Sequence, residues 1–250
     1  MLTPDRHRII LNLLKDKGVV KLQEFVEATS SSESTIRRDL SQLEHEQKLK
    51  RVHGGASLLH QKGIEQSISE KSSQRLKEKE IIAKYAASLI EDGDCIYLDA
   101  GTTTLQMIPF IKAQHIKVVT NGLTHLDALI EQGIDTYLIG GYIKRTTKAL
   151  VGSGALAGLS SYRFDKSFIG VNGIHEDYGY TTPDPEEAAV KQLAMKGSRD
   201  AFVLADSSKF QEVTFSKIAD IKDAIILTDS IEEESLTSYF KKTTIKVVTS

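Results

Sequence analysis

Cysteine is nearly absent from this chain: Cys95 is the only one in 250 residues. A single thiol closes no internal disulfide and builds no cysteine-ligated zinc site, and Cys95 sits in an apolar run where it reads as a small core residue. Long apolar runs are missing too. None approaches the ~20 residues of a membrane-spanning helix, and the N-terminus has no secretory-leader pattern, so a cytoplasmic protein is expected. Nor is there a strong charge of either sign: 32 Lys and Arg stand against 34 Asp and Glu, a net −2. Bulk charge therefore does not make the chain a polyanion binder; position must. Residues 1–56 carry ten basic and eight acidic side chains, net +2, which leaves −4 for the rest. The length suits two units or one large α/β domain, and 40% hydrophobic content supports a proper core.

What is present begins with helical periodicity. Pro4 suits a first helical turn, and Ile9, Ile10, Leu13 and Leu14 recur at helical spacing up to Gly18. Residues 19–21 form a short strand candidate, and Leu22, Phe25 and Val26 mark a short second helix. After a polar break at residues 29–32, Ser32 is the natural N-cap of a third helix whose buried stripe is Ile36, Leu40 and Leu43. The opposite face then shows Ser34, Arg38, Ser41 and Gln42, with Thr35 and Arg37 on its flanks. Asp39 falls on the buried side, where it can restrain a neighbouring arginine. Lys50, Arg51 and His53 follow on a strand that ends at Gly54-Gly55. Three short helices and a basic hairpin predict a winged helix-turn-helix over residues 1–57. Such a helix face reads a major groove through arginine and glutamine, and holds phosphates through serine and threonine. The bland alternative, Arg37 and Arg38 paired with glutamates on a solvated surface, would suit an isolated helix better than this arrangement.

Residues 58–75 are polar, without a glycine-serine repeat, and predict a partly helical connector. Residues 76–250 alternate helices with strands, as an α/β sheet does. A helix through Ile81, Ile82, Tyr85, Ala86 and Leu89 is expected to close at Asp92-Gly93. Strands are expected at 95–98, 116–120, 136–139, 166–171, 201–204, 224–227 and 245–248. Most stop at Gly, Thr, Asn or Asp, and in a parallel sheet those ends gather on the ligand-binding edge. Gly101-Thr102-Thr103-Thr104 after a buried strand offers free amides and hydroxyls to an anion, although one threonine alone would be a plain N-cap. Asp99, Asn121-Gly122, Gly140-Gly141 and Asn172-Gly173 are candidate walls of the same pocket. Lys191 and Lys209 are candidate cations, with Lys209 favoured because Asp206-Ser207-Ser208-Lys209 stands at a strand end. Glu186-Glu187 is expected to be solvated and Asp184-Pro185 to be a turn.

The run TIRRDL, then LE, then KRVHGGA resembles the N-terminal signature of the DeoR family of bacterial transcriptional regulators. Members commonly have Gly-Leu where this chain has Gln47-Lys48. A glycine there closes the helix in a left-handed conformation, so Gln47 must do so at some strain or the helix ends differently. Over residues 70–228 the family likeness continues in GDCIYLDAGTTT, VVTNG, GVNGI and ADSSKF. It implies a Rossmann-like sensor domain similar to ribose-5-phosphate isomerase that binds phosphorylated sugars. In the isomerase an Asp-Gly-Ala-Asp stretch and a Glu-Lys pair accompany the phosphate loop. Here they correspond to residues 170–173 without either aspartate and to Val190-Lys191 without the glutamate. Enolisation needs a carboxylate base, so the likeness implies a sensor and no enzyme. RFDKSFIGVNGIHEDYGYTTPDPEEA is similar to the fructose branch of the family, which implies fructose 1-phosphate as inducer of a repressor of fructose utilisation. Tagatose or glycerol phosphates, an activator, and an active isomerase are the alternatives. The partners implied are double-stranded operator DNA, met near the bacterial nucleoid, and a second copy of the chain in a dimer or tetramer; no cofactor or metal is implied.

Overall fold

Apolar residues at helical spacing build the first unit, Met1–Gln61, of two into which the chain divides. The structure, a computed structural model, describes residues 2–17, 19–46, 48–52, 54–58, 67–230 and 237–249. The unit runs α1 (Thr3–Lys17), β1 (Val19–Lys21), α2 (Leu22–Thr29), α3 (Glu33–His45), β2 (Leu49–Val52) and β3 (Gly55–Leu58). Its core joins Ile10 and Leu14 of α1, Leu22 and Phe25 of α2, and Ile36, Leu40 and Leu43 of α3 to Val20, Leu49 and Ala56 of the strands. Each fully buried large side chain among these contributes about 2 kcal/mol. Ser30 takes φ +48° between α2 and α3, and Ser32 caps α3 by accepting the Thr35 amide. The strands order as β1-β3-β2, all antiparallel. Gly55 makes this possible: a Cβ there would lie 2.2 Å from the Val20 carbonyl oxygen.

Gln47, where the family commonly has glycine, lies outside the described residues. The Lys48 amide reaches back to the Leu43 carbonyl at 2.8 Å, a six-to-one closure of the Schellman type.

In the second unit, Lys62–Ser250, the chain enters through α4 (Ile68–Ser72) and α5 (Leu76–Ser88), then alternates. In order follow β4 (Cys95–Leu98), α6 (Thr102–Met107), β5 (Lys117–Thr120), α7 (Leu126–Glu131), β6 (Asp135–Leu138), β7 (Tyr142–Ile143), β8 (Leu150–Val151) and α8 (Ser153–Ser160). Then come β9 (Phe164–Gly170), β10 (Gly173–His175), β11 (Gly179–Thr182), α9 (Pro185–Lys196) and β12 (Ser198–Leu204). The chain closes with β13 (Ser216–Ala219), β14 (Ile225–Thr228), α10 (Thr237–Phe240) and β15 (Ile245–Val247). Seven strands form one sheet, ordered β15-β14-β12-β9-β4-β5-β6, with every pair parallel.

Period-two alternation divides the strand residues between two cores. Tyr97, Ile169, Val203 and Ile226 join α8 and α9 on one face. Ile96, Leu98, Phe168, Phe202 and Leu227 join α5, α6 and α7 on the other. The chain winds outward from β4 through β5 to β6, then restarts on the far side of β4 with β9. The switch point therefore lies between the C-terminal ends of β4 and β9, where such sheets leave a crevice.

Three expectations need amendment. α5 ends at Ser88, not at Asp92-Gly93; its last turn gives way to a loop that turns at Gly93, φ +83°. The antiparallel set β10-β11-β13 and the β7–β8 hairpin were not expected. Their strands are two to four residues long, too short for a periodic pattern to reveal.

Candidate functional site

In the first unit, α3 presents the face that its sequence outlined. Ile36, Asp39, Leu40 and Leu43 are buried, whereas Ser34, Arg37, Arg38, Ser41 and Gln42 are exposed and Thr35 is half-buried. The partner of Asp39 corrects the reading of a neighbouring arginine: it is Arg6 of α1, which holds the carboxylate through Nε and, at 2.9 Å, through Nη2. His7 Nε2 adds a contact at 3.3 Å. Burial pushes the Asp39 carboxyl up, but Arg6 and His7 outweigh it and hold it below the usual carboxylate range. The recognition helix is thereby tied to α1 from beneath.

On the outer face most polar groups already have local partners. Arg37 pairs with Glu33 at 2.6 Å and Gln42 donates to Glu46 at 3.0 Å. Arg51, expected to meet DNA from the wing, donates to Ser41 at 3.0 Å, while its amide donates to Glu44 at 2.7 Å. Arg38 has no ion-pair partner among the described residues and stands at the centre of the face. Lys50 pairs with Ser57 in the β2–β3 ladder; His53 lies outside the described residues.

At the switch point of the second unit, the loop after β4 is braced from within. The Gly101 amide donates to the Asp99 carbonyl at 2.7 Å. The Thr104 hydroxyl donates to that carbonyl at 2.6 Å, accepts from the Gly101 amide at 3.1 Å and meets His125 Nε2 at 3.2 Å. Thr104 thus shapes the loop, as a plain cap would. The hydroxyls of Thr102 and Thr103 have no partner among the described residues and are what the loop can offer a ligand. Asn121 is likewise committed: its Oδ1 accepts from the Tyr97 hydroxyl and the Ala100 amide, both at 2.9 Å. Gly122 must lack a side chain because a Cβ would lie 2.5 Å from His125 Nδ1. His125 is fully buried, and desolvation drives its pKa down to about 4, so it is neutral at pH 7.

The charged part of the site corrects two expectations. Lys191 is buried and pairs with Asp99 Oδ2, which also accepts the Gly170 amide at 3.0 Å. Lys191, not Lys209, is therefore the lysine built into the core of the site. Asp99 Oδ1 is buried with no hydrogen-bond partner among the described residues. Glu187, expected in solvent, is buried. Asp184 caps α9 and Pro185 opens it, which turns Glu187 inward one helical turn before Lys191. Its Oε1 accepts from the Thr147 hydroxyl at 2.7 Å and from Lys144 at 3.0 Å. Burial pushes the Glu187 carboxyl up, but Lys191, Lys144 and Thr147 together hold it below its usual range. The carboxylates missing at residues 170–173 and 190 therefore do not leave the site without acid groups.

Two further lysines join the site: Lys71, in the Glu70-Lys71-Ser72 run that resembles a usual feature of the family's connector, and Lys79, which the sequence did not mark. Lys71 of α4 feels Glu187, Lys191, Lys209 and Asp99, and desolvation pushes it down to about 7. Lys79 of α5 is buried and is pushed down to about 8, mainly by desolvation, with Asp206 and Lys209 next in effect. Asp206 caps the turn after β12 by accepting the Ser208 amide at 3.0 Å. Asn172 accepts from the Thr182 hydroxyl at 3.0 Å, and Gly173 passes close to the Glu212 carbonyl. Gly140-Gly141 serves elsewhere: Gly141, φ +130°, packs on Val151 and Ala155 at the start of α8. Among the described residues, no cluster of three or more His, Cys, Asp or Glu could hold a metal, and no helix is long and apolar enough to cross a membrane.

The DeoR-like helix-turn-helix domain profile matches residues 6–62, and the DeoR C-terminal sensor domain profile matches residues 74–230. The chain is 54% identical over 249 residues, 99% of each chain, to an uncharacterized HTH-type transcriptional regulator, FruR, of Bacillus subtilis strain 168. It is 37% identical over 243 residues, 94% of this chain and 95% of the relative, to the lactose phosphotransferase system repressor of Lactococcus lactis subsp. lactis. Among solved structures, ribose 5-phosphate isomerase A of Methanocaldococcus jannaschii superposes with a TM-score of 0.39 at 17% identity, over 53% of each chain. The match thus spans about half of the isomerase.

Proposed function

The chain belongs to the DeoR family of transcriptional regulators, and from that premise we propose that it represses a sugar-utilisation operon and releases its operator when a phosphorylated sugar fills the second unit. The observation that carries the ligand class is Lys191 held on Asp99, whose Oδ1 has no partner among the described residues, with Lys71 within electrostatic reach of Asp99, Lys191 and Lys209. Ammonium groups suit a phosphoryl group, and a spare carboxylate oxygen suits a sugar hydroxyl. Thr102 and Thr103 extend the hydroxyl-binding side. This chemistry fits sugar monophosphates as a class; fructose 1-phosphate is put first because of the sequence likeness to the fructose branch. On the DNA side, the face of Ser34, Arg38, Ser41 and Gln42 enters the major groove. Two or more copies would then span half-sites ~10 bp apart or a multiple of that. A ligand that prefers the DNA-free form by about 2 kcal/mol lowers operator affinity roughly thirtyfold.

Asp99 and Glu187 keep a second reading, a sugar-phosphate isomerase, in view. Both carboxylates are already engaged by lysines, and Glu187 is held below its ordinary pKa. A base for enolisation works best with a pKa near the working pH, so we favour a sensor. Footprinting of the full-length protein on its operator, with a panel of sugar phosphates and thermal shift in parallel, tests both readings. One sugar phosphate is expected to release the operator at least tenfold and to raise the melting temperature. Absence of both effects across the panel sinks the ligand class, and turnover in an aldose–ketose assay restores the enzyme.

A further inference from the structure

The segment that leads into the second unit is fastened across its strand-end site at four places. The Ile68 amide donates to the Thr146 carbonyl, in the loop between β7 and β8, at 2.9 Å. α4 packs against α6, the helix that follows the candidate ligand loop. Lys79 donates to the Lys71 carbonyl at the other end of α4. Arg75 Nε lies 3.4 Å from Asp206 Oδ1, at the end of β12. A helix of five residues has little stability of its own. This one relies on those contacts and on a capping box in which the Glu70 amide donates to Ser67 Oγ and the Ser67 amide donates to Glu70. Lys71, in its last turn, lies within electrostatic reach of Glu187, Lys191, Lys209 and Asp99.

We propose that residues 67–75 are a strap whose Lys71 binds the anionic group of the ligand, so that filling the site tightens the first described stretch of chain after the DNA reader. The inference rests on the sensor reading above and adds the route by which occupancy leaves the site. Thr147, beside the strap's Thr146 anchor, donates to Glu187, so the far anchor belongs to the same polar network. The charged groups that act on Lys71 are Glu187 and Lys191 from α9, Lys209 from the turn after β12 and Asp99 from the end of β4, and Lys79 donates to its backbone carbonyl. Desolvation holds Lys71 near pKa 7, so an arriving phosphoryl dianion would shift it to the ammonium form and strengthen its grip on the site.

The test uses full-length protein, fructose 1-phosphate and inorganic phosphate as probes, and the variants Lys71→Gln and Ile68→Pro. Proline is tolerated at the first helical position, so Ile68→Pro removes the anchoring N–H without touching the lysines. In the wild type, bound sugar phosphate is expected to slow amide hydrogen exchange across residues 68–75. Lys71→Gln should bind roughly tenfold more weakly, the loss of about one charge-assisted hydrogen bond. At saturating ligand it should show neither strap protection nor operator release. Ile68→Pro should bind within about threefold of wild type and still fail to release DNA, because its lysine contacts remain. Wild-type binding without strap protection, or normal release by both variants, would overturn the strap while leaving the sensor reading intact. Failure of the wild type to bind either probe or any other sugar phosphate overturns the sensor reading and the strap with it.

Discussion

The two units solve opposite problems with the same residue types. On its outer face the reader keeps arginines exposed and satisfies some of them locally, as in Arg37–Glu33 and Arg51–Ser41, while among the described residues only Arg6, beneath α3, is buried against a distant carboxylate. The sensor buries Lys79, Lys166 and Lys191 and satisfies the last two over long separations; Lys191 and Asp99 are 92 residues apart. Exposed pairs contribute little to stability and exchange partners readily, which suits a surface that must meet DNA. Buried pairs are expensive to break and fix a geometry, which suits a pocket that must discriminate among small ligands.

The largest expected effect lies in the sensor. Lys191→Met leaves the Asp99 carboxylate buried beside an apolar chain and should lower the stability of the second unit by about 3 kcal/mol in urea denaturation. Addition of Asp99→Asn should recover most of that loss. A single variant within about 0.5 kcal/mol of wild type would erase the contrast between the units.

Next comes a pH effect confined to the same unit. The folded pKa of His125, about 4, lies below its ordinary value, so folding favours the neutral ring. The stability this contributes is complete above pH ~6.5 and is lost as pH falls from there through about 4, a change on the order of 3 kcal/mol. His125→Asn should flatten that part of the stability-against-pH curve. Identical slopes in wild type and variant would mean that the ring is not buried neutral.

The smallest effect on stability belongs to the reader. Arg38→Ala should change unfolding free energy by less than about 0.5 kcal/mol, since the side chain is exposed and has no ion-pair partner among the described residues. It should nonetheless abolish specific footprinting while sugar-phosphate binding persists. An undiminished footprint would remove Arg38 from the reading face.

How much was legible in the sequence follows the same divide. The reader's elements and the inward and outward faces of α3 came from local periodicity, because one helix carries the whole face. The sensor's strands came from apolar runs that end in small or polar residues, and Asp99 and residues 101–104 came from a strand end. Lys79, Glu187 and His125 were hidden, since nothing in their own neighbourhoods distinguishes them from surface or core residues, and Lys71 stood out only within a family-like Glu70-Lys71-Ser72 run with no ligand role attached. Glu187 follows a proline and another glutamate, as solvated first-turn acids do; only the packing of α9 against the sheet turns it inward. Even Asp39, correctly placed on the buried side, found its arginine 33 residues earlier, not next door.

The bond from Arg51 to Ser41 has a consequence for how the reader recognises DNA. A guanidinium that already holds a hydroxyl, and a strand whose Arg51 amide already holds Glu44, join wing and helix into one tool. On the proposed reading, Arg51 would give up Ser41 to take a phosphate, so its net contribution would be the difference between the two contacts. Transplanting residues 33–45 into another scaffold would move the reading face but leave its latch behind.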